Sequence, residues 1–482
     1  MSLQRNTDQR HADSHTATEN SPPLPAIPAG IFRAYDIRGV VDEQLTTTAI
    51  HTLGRAIASE ALDAGIQSLL IGYDGRLSSP AFSRSLIDGV LACGCNVIDL
   101  GLVPTPLLYF ATHTSAADSG IMLTASHNPA NYNGLKAVFR RHCLAENQIQ
   151  ALRRRIDQGA FASGAGDYRE LDIREAYYQD VCDRVRLKRR LRIVVDCGNA
   201  VPGIIAPTLF RRLGCDVSTL YCDVDGHFPN HHPDPTVPAN LADLSARVVS
   251  EGADLGLAFD GDGDRLGVVT ESGHAVAADH LLLLLAEAIL PHYPGADVVF
   301  DVKCSSEVDR LVRELGGNPV MHRSGHALMK QKMEETGAPL GGEFAAHFFI
   351  RDRWYGFDDG LYTAARVLEI VSGLPHALGK EVAHLQTLIG TAEIKVPITE
   401  EAKFAVMDEL KRVARFPGAR LITLDGLRVE YSDGWGLVRA SNTSPALLLR
   451  FEAVSNERLE EIKQSFKALI RTVDKTLDLE AL

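Results

Sequence analysis

The chain lacks an excess of positive charge. Its 482 residues include 49 lysines and arginines against 62 aspartates and glutamates, so its formal net charge is −13. A surface of this sign disfavours nucleic acid or an anionic membrane as the main partner, and we predict neither. A site for an anionic substrate must therefore gather its cations locally, in loops.

Paired cysteines and long apolar runs are also missing. The eight cysteines include no CxxC pair, which is typical of reduced thiols in a cytoplasmic protein. The longest apolar run, Leu281 to Ala286, is far too short to span a bilayer. The N-terminus has no apolar core of a signal peptide. These absences predict a cytoplasmic protein without a membrane anchor.

The chain does contain enough sequence for several hydrophobic cores. Its length predicts about three or four domains. Residues 1–29 are polar and then rich in proline (SPPLPAIP), a composition that predicts a disordered leader.

One strand–helix–strand pattern then recurs three times, roughly a hundred residues apart. Each copy begins with an apolar strand that runs into an aspartate, namely Asp74, Asp196 or Asp301. A helix-like stretch and a second strand follow, which makes each copy a βαβ unit. Continuous apolar strands are typical of parallel sheets that are buried on both faces.

Each repeat next reaches a short strand that ends in a polar loop. These loops contain Ser126, the aspartates from Asp260, and Glu343, at matching places in the three units. Because ligands bind at strand ends in open α/β sheets, we predict that the three loops face one cleft.

The last hundred residues read instead as short strands with helices on one side, which predicts an α+β domain. The predicted fold is α/β: three similar mixed α/β domains plus a C-terminal α+β domain around a central cleft. The predicted domains are residues 30–171, 172–275, 276–386 and 387–482.

The stretch TASHNPANYNGLK places a hydroxyl, an imidazole and an amine close together in one loop. We interpret Ser126 as a carrier that passes a phosphoryl group to and from a sugar. Lys136 is the preferred general base, and His127 assists it. The alternative is a plain tight turn, which all four residues of Ser-His-Asn-Pro suit.

The stretch DGDGDR, residues 260–265, places carboxylates at every second residue with glycines between them. Asp260, Asp262 and Asp264 can converge in a tight loop and offer the hard oxygen ligands that Mg²⁺ prefers. With Glu271 they also match positions 1, 3, 5 and 12 of a calcium-binding loop. That loop needs glycine where Arg265 stands, and its flanks are helices rather than strands. An acidic surface turn is a further alternative.

A cation at these aspartates would offset the charge of a phosphorylated Ser126, and would bind one of its oxygens. Arg265 could contact the same phosphoryl group. The alternative for Arg265 is an ordinary surface ion pair with a neighbouring aspartate.

The loop GGEFAAH offers Glu343 as an acceptor for two vicinal sugar hydroxyls, although a glycine-rich turn with a chance glutamate is an alternative. Lys303, Gly325 and His326 belong to the same unit. They could contact phosphate or sugar, or be ordinary loop residues.

Two further segments could bind anions. In FRAYDIRG, an arginine beside a tyrosine suits phosphate or a sugar hydroxyl, and the residues concerned are Tyr35 and Arg38; an exposed first strand is the alternative. The loop RASNTSP gathers an arginine, hydroxyls and an amide into a possible concave anion site, against the alternative of an Asx turn. Its candidate ligands are Arg439, Ser441, Asn442 and Thr443.

From about Ile31 to the C-terminus, the chain resembles the α-D-phosphohexomutase superfamily, and within it the bacterial phosphomannomutase/phosphoglucomutase enzymes. The matching motifs stand in the family's order: FRAYDIRG, TASHNP, DGDGDR, GEFAAH, WYGFDDG and RASNTSP. The resemblance implies that Ser126 is the phosphoserine, that the three aspartates bind Mg²⁺ and that Glu343 binds the sugar. It also implies that the RASNTSP loop holds the phosphate that is not reacting. Further implied ligand contacts are Tyr35, Arg38, Lys303 and His326.

The implied reaction interconverts hexose 1-phosphate and hexose 6-phosphate, of mannose, glucose or both, through a bound hexose 1,6-bisphosphate that also serves as activator. We expect a monomer that acts on hexose phosphates. One departure is that Ala345 and Ala346 stand where the family usually has Ser-Gly. A phosphoglucosamine mutase and a catalytically weak, sugar-phosphate-binding paralogue are the alternatives.

Overall fold

The structure is a computed structural model, and it describes residues 27–385, 387–441, 444–480 and 482. Residues 1–26 of the predicted leader lie outside the described residues. Its last residue, Ala29, begins a short 3-10 helix, Ala29–Ile31, so regular structure begins slightly before the predicted boundary.

The first domain contains a mixed sheet between helices. Its elements are β1 (Ile37–Val40), α1 (Thr47–Asp63), β2 (Ser68–Tyr73), α2 (Ser79–Leu91), β3 (Asn96–Leu102), α3 (Thr105–Thr114), β4 (Gly120–Leu123), β5 (Tyr132–Phe139), β6 (His142–Cys143), α4 (Asn147–Gln158) and β7 (Tyr168–Glu170). The central strand β2 pairs in parallel with β3 and β4, and β4 pairs antiparallel with β5. Leu69, Leu70 and Ile71 of β2 are fully buried, as expected for a strand covered on both faces.

The second domain repeats this arrangement. Its elements are α5 (Arg174–Arg184), β8 (Arg192–Asp196), α6 (Ala206–Arg212), β9 (Asp216–Leu220), α7 (Ala242–Glu251), β10 (Leu255–Phe259), β11 (Leu266–Thr270) and β12 (Ala275–Val276), with 3-10 helices at Val201–Ile204 and Pro238–Leu241. Strand β8 lies between β9 and β10, both parallel to it, and β10 pairs antiparallel with β11.

The third domain has the same strand arrangement. Its elements are α8 (Ala278–Ile289), β13 (Asp297–Asp301), α9 (Ser306–Glu314), β14 (Asn318–His322), α10 (His326–Thr336), β15 (Leu340–Gly342), β16 (Phe348–Ile350), α11 (Gly360–Gly373) and α12 (Leu378–Ala383), with a 3-10 helix at Leu290–His292. Strand β13 is parallel to β14 and β15, and β15 pairs antiparallel with β16. The three predicted repeats therefore share one topology.

The fourth domain is an antiparallel sheet covered by helices. Its elements are β17 (Ile389–Gly390), β18 (Ile394–Pro397), α13 (Ala402–Val413), β19 (Arg420–Ile422), β20 (Leu427–Tyr431), β21 (Gly434–Ala440), β22 (Ala446–Ala453) and α14 (Asn456–Val473). Strands β19 to β22 pair in sequence, each antiparallel to the next. This topology fits the predicted α+β class.

One hydrophobic core runs through the first three domains, whereas the fourth has its own. Where the three domains meet, the ring of Phe110 lies 5.3 Å from that of Tyr177 and 5.8 Å from that of Trp354. In the fourth domain, Phe466 lies 5.3 Å from Phe416 and 5.2 Å from Phe451. The first three domains therefore form one body, to which the fourth is attached.

The fourth domain docks on the third through a largely polar seam. Buried Arg428 donates to the carbonyls of Val302 and Cys304, both at 2.7 Å. Its guanidinium lies 3.7 Å from the centre of the Trp435 ring. The apolar part of the seam is limited to a few side chains around Val302, Trp435 and Leu437.

Of the helices in the described part of the chain, none is both long and apolar enough to cross a membrane.

Candidate active site

Ser126 lies in the loop after β4, and its backbone is strained. Its φ of 50° is in the left-handed region, which costs a non-glycine residue about 1–2 kcal/mol. Its amide donates to the hydroxyl of Thr124 at 2.8 Å, and its carbonyl accepts from Arg76 Nη2 at 2.6 Å. These hydrogen bonds stabilise the strained loop and fix the position of the serine hydroxyl.

A buried arginine that the sequence reasoning did not single out holds this loop. Arg76 follows the aspartate of the first repeat, and its side chain is 1% exposed. It donates to four carbonyls of the loop at distances between 2.6 and 2.9 Å, those of Ser126, Asn128, Pro129 and Tyr132. The sequence signal was its position in the strand-end segment Asp74-Gly75-Arg76.

The acidic loop between β10 and β11 reaches Ser126 directly. Ser126 Oγ donates to Asp260 Oδ2 at 2.7 Å. A Cβ atom at Gly261 would lie only 2.2 Å from the carbonyl oxygen of Ser126, so this approach requires glycine. The structure therefore brings the candidate phosphoserine and the candidate metal ligands together.

The acidic loop offers free oxygen ligands next to the serine. Asp262 Oδ2 accepts from Lys136 at 2.7 Å and from Thr105 at 2.5 Å, and Asp264 Oδ2 accepts from Lys136 at 2.6 Å. Among the described residues, Asp262 Oδ1 and Asp264 Oδ1 accept no hydrogen bond, and both oxygens are buried; His347 Nδ1 is 3.5 Å from Asp264 Oδ1. Carboxylate oxygens from all three aspartates lie within 4.8 Å of one another. This donor set fits a divalent cation such as Mg²⁺.

The acidic loop is short of positive charge. Burial raises the pKa of the Asp260 carboxyl well above its ordinary value, and the charges of Asp262 and Asp264 raise it further. Lys136 supplies one compensating charge: burial lowers the pKa of its amine, but the carboxylates of Asp262 and Asp264 outweigh burial and raise it. A divalent cation would compensate the remaining buried carboxylates.

The two candidate proton acceptors lie in different surroundings. Lys136 Nζ pairs with two carboxylates at 2.6 and 2.7 Å, whose charges raise the pKa of its amine. Burial lowers the pKa of His127 well below its ordinary value, and the charges of Arg265 and Arg38 lower it further. His127 Nδ1 lies 3.2 Å from Ser126 Oγ. His127 is therefore the neutral group beside Ser126 Oγ in this arrangement, and the preference for Lys136 drawn from the sequence stays a prediction.

Arg265 joins the acidic loop to the loop of the third domain. Its Nε donates to His347 Nε2 at 2.9 Å and lies 3.9 Å from Asp260 Oδ2. On the other side of the imidazole, Nδ1 lies 3.2 Å from Asp358 Oδ2 and 3.5 Å from Asp264 Oδ1. The sequence reasoning assigned no role to His347 or Asp358, although both stand in the motifs GGEFAAH and WYGFDDG.

Glu343 faces the turn before α10 and, beyond it, the first domain. Its Oε1 accepts from the amide of Gly325 at 2.5 Å and from the hydroxyl of Ser324 at 3.3 Å. The ring of Tyr35 packs edge-on against His326, with 4.9 Å between ring centres. A Cβ at Gly325 would lie 2.8 Å from the Tyr35 ring. Candidate sugar ligands from two domains therefore meet here.

Arg38 is closely tied to the serine loop. It lies in β1, which begins at Ile37, and it is 9% exposed, so the alternative of an exposed first strand is wrong. Its Nη1 donates to Asn128 Oδ1 at 2.6 Å and to the carbonyl of Ala125 at 3.3 Å. Its Nε donates to Asp36 at 2.8 Å. In this arrangement Arg38 supports the loop.

The third and fourth domains bring further cations to the cleft, Lys303 and Arg439 respectively. Arg439 Nη2 lies 3.0 Å from Asp425 Oδ2, which also accepts from the amide of Ser324 at 3.0 Å. Lys303 lies 3.6 Å from Glu393. Both cations are buried, so their interactions are only weakly screened by solvent.

The candidate phosphate loop is only partly described. The carbonyl of Ser441 accepts from buried Lys403 at 2.7 Å, and its hydroxyl accepts from the amide of Ser444 at 3.1 Å. Asn442 and Thr443, also predicted ligands, lie outside the described residues.

Four family models cover most of the chain. They describe phosphoglucomutase/phosphomannomutase alpha/beta/alpha domains I, II and III and the C-terminal domain, and they match residues 29–163, 175–273, 277–388 and 393–469. The chain belongs to the phosphoglucomutase/phosphomannomutase family. This result confirms the superfamily and the fold class that the motifs predicted.

Relatives and solved structures extend this family match. A phosphomannomutase/phosphoglucomutase of Pseudomonas aeruginosa is 51% identical over 94% of this chain and 98% of its own. A phosphoglucomutase of Neisseria gonorrhoeae is 44% identical over 93% and 98%. A phosphoglucomutase/phosphomannomutase family protein of Burkholderia thailandensis has a similar crystal structure, with a TM-score of 0.90, 44% identity, and coverage of 94% and 99%. These family members confirm the predicted class of enzyme, a mutase, whereas the site residues stay predictions.

Proposed function

We propose that this family member is a Mg²⁺-dependent phosphohexomutase that interconverts hexose 1-phosphates and hexose 6-phosphates of mannose, glucose or both. The observation that carries the proposal is the 2.7 Å contact between Ser126 Oγ and Asp260 Oδ2, beside the unpartnered oxygens of Asp262 and Asp264. A hydroxyl beside a buried acidic cluster suits a phosphoserine whose charge a cation offsets. The name of the P. aeruginosa relative supports hexose phosphates as substrates.

Ser126 Oγ would carry the transferred phosphoryl group. Asp260, Asp262 and Asp264 would hold Mg²⁺, with an oxygen of the phosphoserine as a further ligand. When bound, the cation offsets negative charge on the transferring group. Arg265, fixed by its hydrogen bond to His347, would place a second positive charge beside it.

Phosphoryl transfer to the sugar forms a bond between a sugar hydroxyl oxygen and phosphorus, and it breaks the bond from phosphorus to Ser126 Oγ. The proton of the sugar hydroxyl would pass to the neutral imidazole of His127, which faces Ser126 Oγ and would give a proton to that oxygen as its bond to phosphorus breaks. The product is a hexose 1,6-bisphosphate. It would turn round within the cleft and return its other phosphoryl group to Ser126, which reverses these changes in bonding.

The remaining predicted residues would hold the sugar and its distal phosphate. Glu343 would accept hydrogen bonds from two vicinal hydroxyls. Cations from three domains would bind the distal phosphate, because opposite charges and bidentate hydrogen bonds favour it in a buried cleft. The proposed ligands of sugar and phosphate are Tyr35, Arg38, Lys303, Gly325, His326, Arg439, Ser441, Asn442 and Thr443.

A phosphoglucosamine mutase is the second candidate within the same chemistry. A probable phosphoglucosamine mutase of Pyrococcus abyssi is 35% identical over 91% of this chain. Ala345, which is half-buried beside Glu343, also lacks the hydroxyl that the family usually has there. We favour the unmodified hexoses because relatives with those names share 44–51% identity.

We further propose that the enzyme acts as a monomer in the cytoplasm on freely diffusing substrates. The net charge of −13 and the eight free thiols support this setting.

The proposal is tested with purified protein, Mg²⁺ and catalytic glucose 1,6-bisphosphate. We expect formation of glucose 6-phosphate from glucose 1-phosphate, or of mannose 6-phosphate from mannose 1-phosphate. Intact-mass measurement after incubation should show one added phosphoryl group. A Ser126→Ala variant should lose both the turnover and the added mass, and should keep affinity for glucose 1-phosphate.

The matched control is Ser272→Ala, which removes an exposed hydroxyl on the turn between β11 and β12. It should keep full activity and the added mass. Turnover of neither sugar phosphate by the unaltered protein would contradict the proposal. Preferred turnover of glucosamine 1-phosphate would favour the second candidate, and binding without turnover would favour the weak paralogue.

A further inference from the structure

A second cavity lies behind the candidate active site, between the first and third domains. Its volume is about 750 Å³, which suits a small organic ligand. Asp358 separates the two sites: one of its oxygens faces His347, and the other accepts from Lys330 at 2.7 Å. Lys330 lines the cavity. The carboxylate of Asp358 therefore contacts residues of both sites, and ligands of the two sites would lie on opposite sides of it.

Three arginines give the cavity a positive charge that the protein does not neutralise. Arg140, Arg141 and Arg351 line it, and the hydrogen bonds of their guanidinium groups go to the carbonyls of Ala64, Thr112 and Met333, respectively. No carboxylate in the described ranges lies within 4.0 Å of these groups. In a chain with a net charge of −13, three unpaired arginines around one cavity favour an anionic ligand.

The acidic side chains on the rim have other contacts. Glu334 lies 3.2 Å from His142, and Glu335 lies 3.3 Å from Lys332. The two glutamates and the three arginines are all exposed, so water screens their charges alike, and the lining contains more cations than carboxylates.

The turn that presents two of these arginines has an unfavourable sequence. Phe139 of β5 pairs with His142 of β6, so Arg140 and Arg141 form a two-residue hairpin loop. Their φ angles are 48° and 71°, as in a type I′ turn, for which Asn-Gly is strongly preferred. The backbone conformation of this turn disfavours arginine at both positions. We therefore infer that the two arginine side chains serve a purpose other than forming the turn.

Aromatic rings line another part of the wall. The rings of Tyr355 and Phe357 are nearly parallel, with 6.2 Å between centres and an interplanar angle of 3°. His113 lies 5.5 Å from Phe357 in a stacked arrangement. A flat aromatic group is a natural partner for such a wall.

We propose that this cavity binds a nucleoside diphosphate. Its phosphates would contact Arg140, Arg141 and Arg351, and its base would pack against the partly exposed ring of Tyr355, behind which the buried ring of Phe357 lies. The proposal does not rest on the mutase reaction, because none of these side chains belongs to the candidate active site.

The test is calorimetric titration of the full-length protein with ADP, GDP and UDP. The protein is first incubated with saturating glucose 6-phosphate until the mutase reaction has reached equilibrium. The active site is then occupied, and net turnover adds no heat to the titration. We expect at least one diphosphate to bind. In the double variant Arg140→Asn/Arg141→Gly, its affinity should fall at least tenfold. The melting temperature of this variant should not fall, because Asn-Gly suits the turn.

A matched control removes two exposed arginines of the fourth domain, Arg412→Gln/Arg415→Gln, and should keep the affinity of the unaltered protein. Equal affinity in the hairpin variant, or no binding of any of the three diphosphates, would overturn the proposal. Inorganic pyrophosphate is the probe without a base. Binding of pyrophosphate as tight as that of the best diphosphate would show a simple anion site and would also overturn it.

Discussion

The body formed by domains 1–3 and the attached fourth domain use different means to hold their parts together. In the body, aromatic side chains from separate segments pack into one core. At the seam with the fourth domain, buried polar contacts such as those of Arg428 dominate. The body contains the candidate phosphoserine and acidic loop, whereas the fourth domain contributes candidate phosphate ligands.

This difference teaches how one molecule can combine a fixed reaction centre with access for substrate. Apolar cores are close-packed, so opening one costs a large amount of free energy. When a polar seam opens, its groups form hydrogen bonds with water instead, so opening it costs less free energy. We therefore expect the chemistry to depend on the rigid body, and substrate entry to depend on the seam.

The largest expected effects separate the two cores. Phe110→Ala removes a ring at the junction of the first three domains, and Phe466→Ala removes one from the core of the fourth. Each should lower a free energy of unfolding by about 3–5 kcal/mol. Calorimetry should show the first change in the transition of the body and the second in that of the fourth domain. Phe404→Ala, at an exposed phenylalanine of the fourth domain, is the control. Equal shifts of a single joint transition by both core variants would contradict two separate cores.

Mg²⁺ should stabilise the body formed by domains 1–3 and not the fourth domain. At a hundredfold excess over its dissociation constant, a ligand of the native state adds about 2.7 kcal/mol to the free energy of unfolding. The body should gain this stability, because Asp260, Asp262 and Asp264 all belong to it, and the fourth domain should not. Thermal melts with and without Mg²⁺ measure the gain, and Asp264→Asn should reduce it. A gain confined to the fourth domain would place the cation elsewhere.

The seam itself is tested by Arg428→Met. This variant leaves the carbonyls of Val302 and Cys304 without their buried donor, which should destabilise the docked arrangement by about 1–3 kcal/mol. Hydrogen exchange should increase along the seam, and the KM for glucose 1-phosphate should rise more than kcat falls. The control is Arg420→Met, an exposed arginine of the same sheet with a 3.8 Å ion pair. Unchanged exchange at the seam would show that the polar contacts do not hold the domain.

The smallest expected effect concerns the sugar loop, on the body side of the seam. Ala346 has a φ of 66°, so Ala346→Gly should raise the free energy of unfolding of the body by about 1 kcal/mol or less. Ala345→Gly, without that strain to relieve, should lower it slightly. Chemical denaturation of both variants checks the opposite signs. A loss of stability in Ala346→Gly would show that packing of the methyl group outweighs backbone strain.

The fold could be predicted from the sequence because its signals are local. Each repeat has a continuous apolar strand followed by a polar loop, and strand-end geometry alone led us to expect Ser126 near Asp260. The contact at 2.7 Å lies where that argument placed it. The glycines of the acidic loop were also informative, since one of them admits the serine carbonyl.

The charge states and the supports of the site could not be predicted in the same way. The pKa of Lys136 is raised by two aspartates that lie 126 and 128 residues further along the chain. Arg76 looks like any loop arginine until its four carbonyl partners are known. His347 depends on Asp358 and Arg265, which come from separate segments. Such properties come from tertiary contacts, which composition and spacing do not encode.

The close fit at Gly261 has a consequence for how the cleft can open. The carbonyl of Ser126 occupies the space that a side chain at this position would need. The backbone of the serine loop therefore packs directly against the backbone of the acidic loop. Sliding one loop past the other would bring their main-chain atoms into collision. We therefore expect the cleft to open at the polar seam with the fourth domain rather than by sliding at this joint.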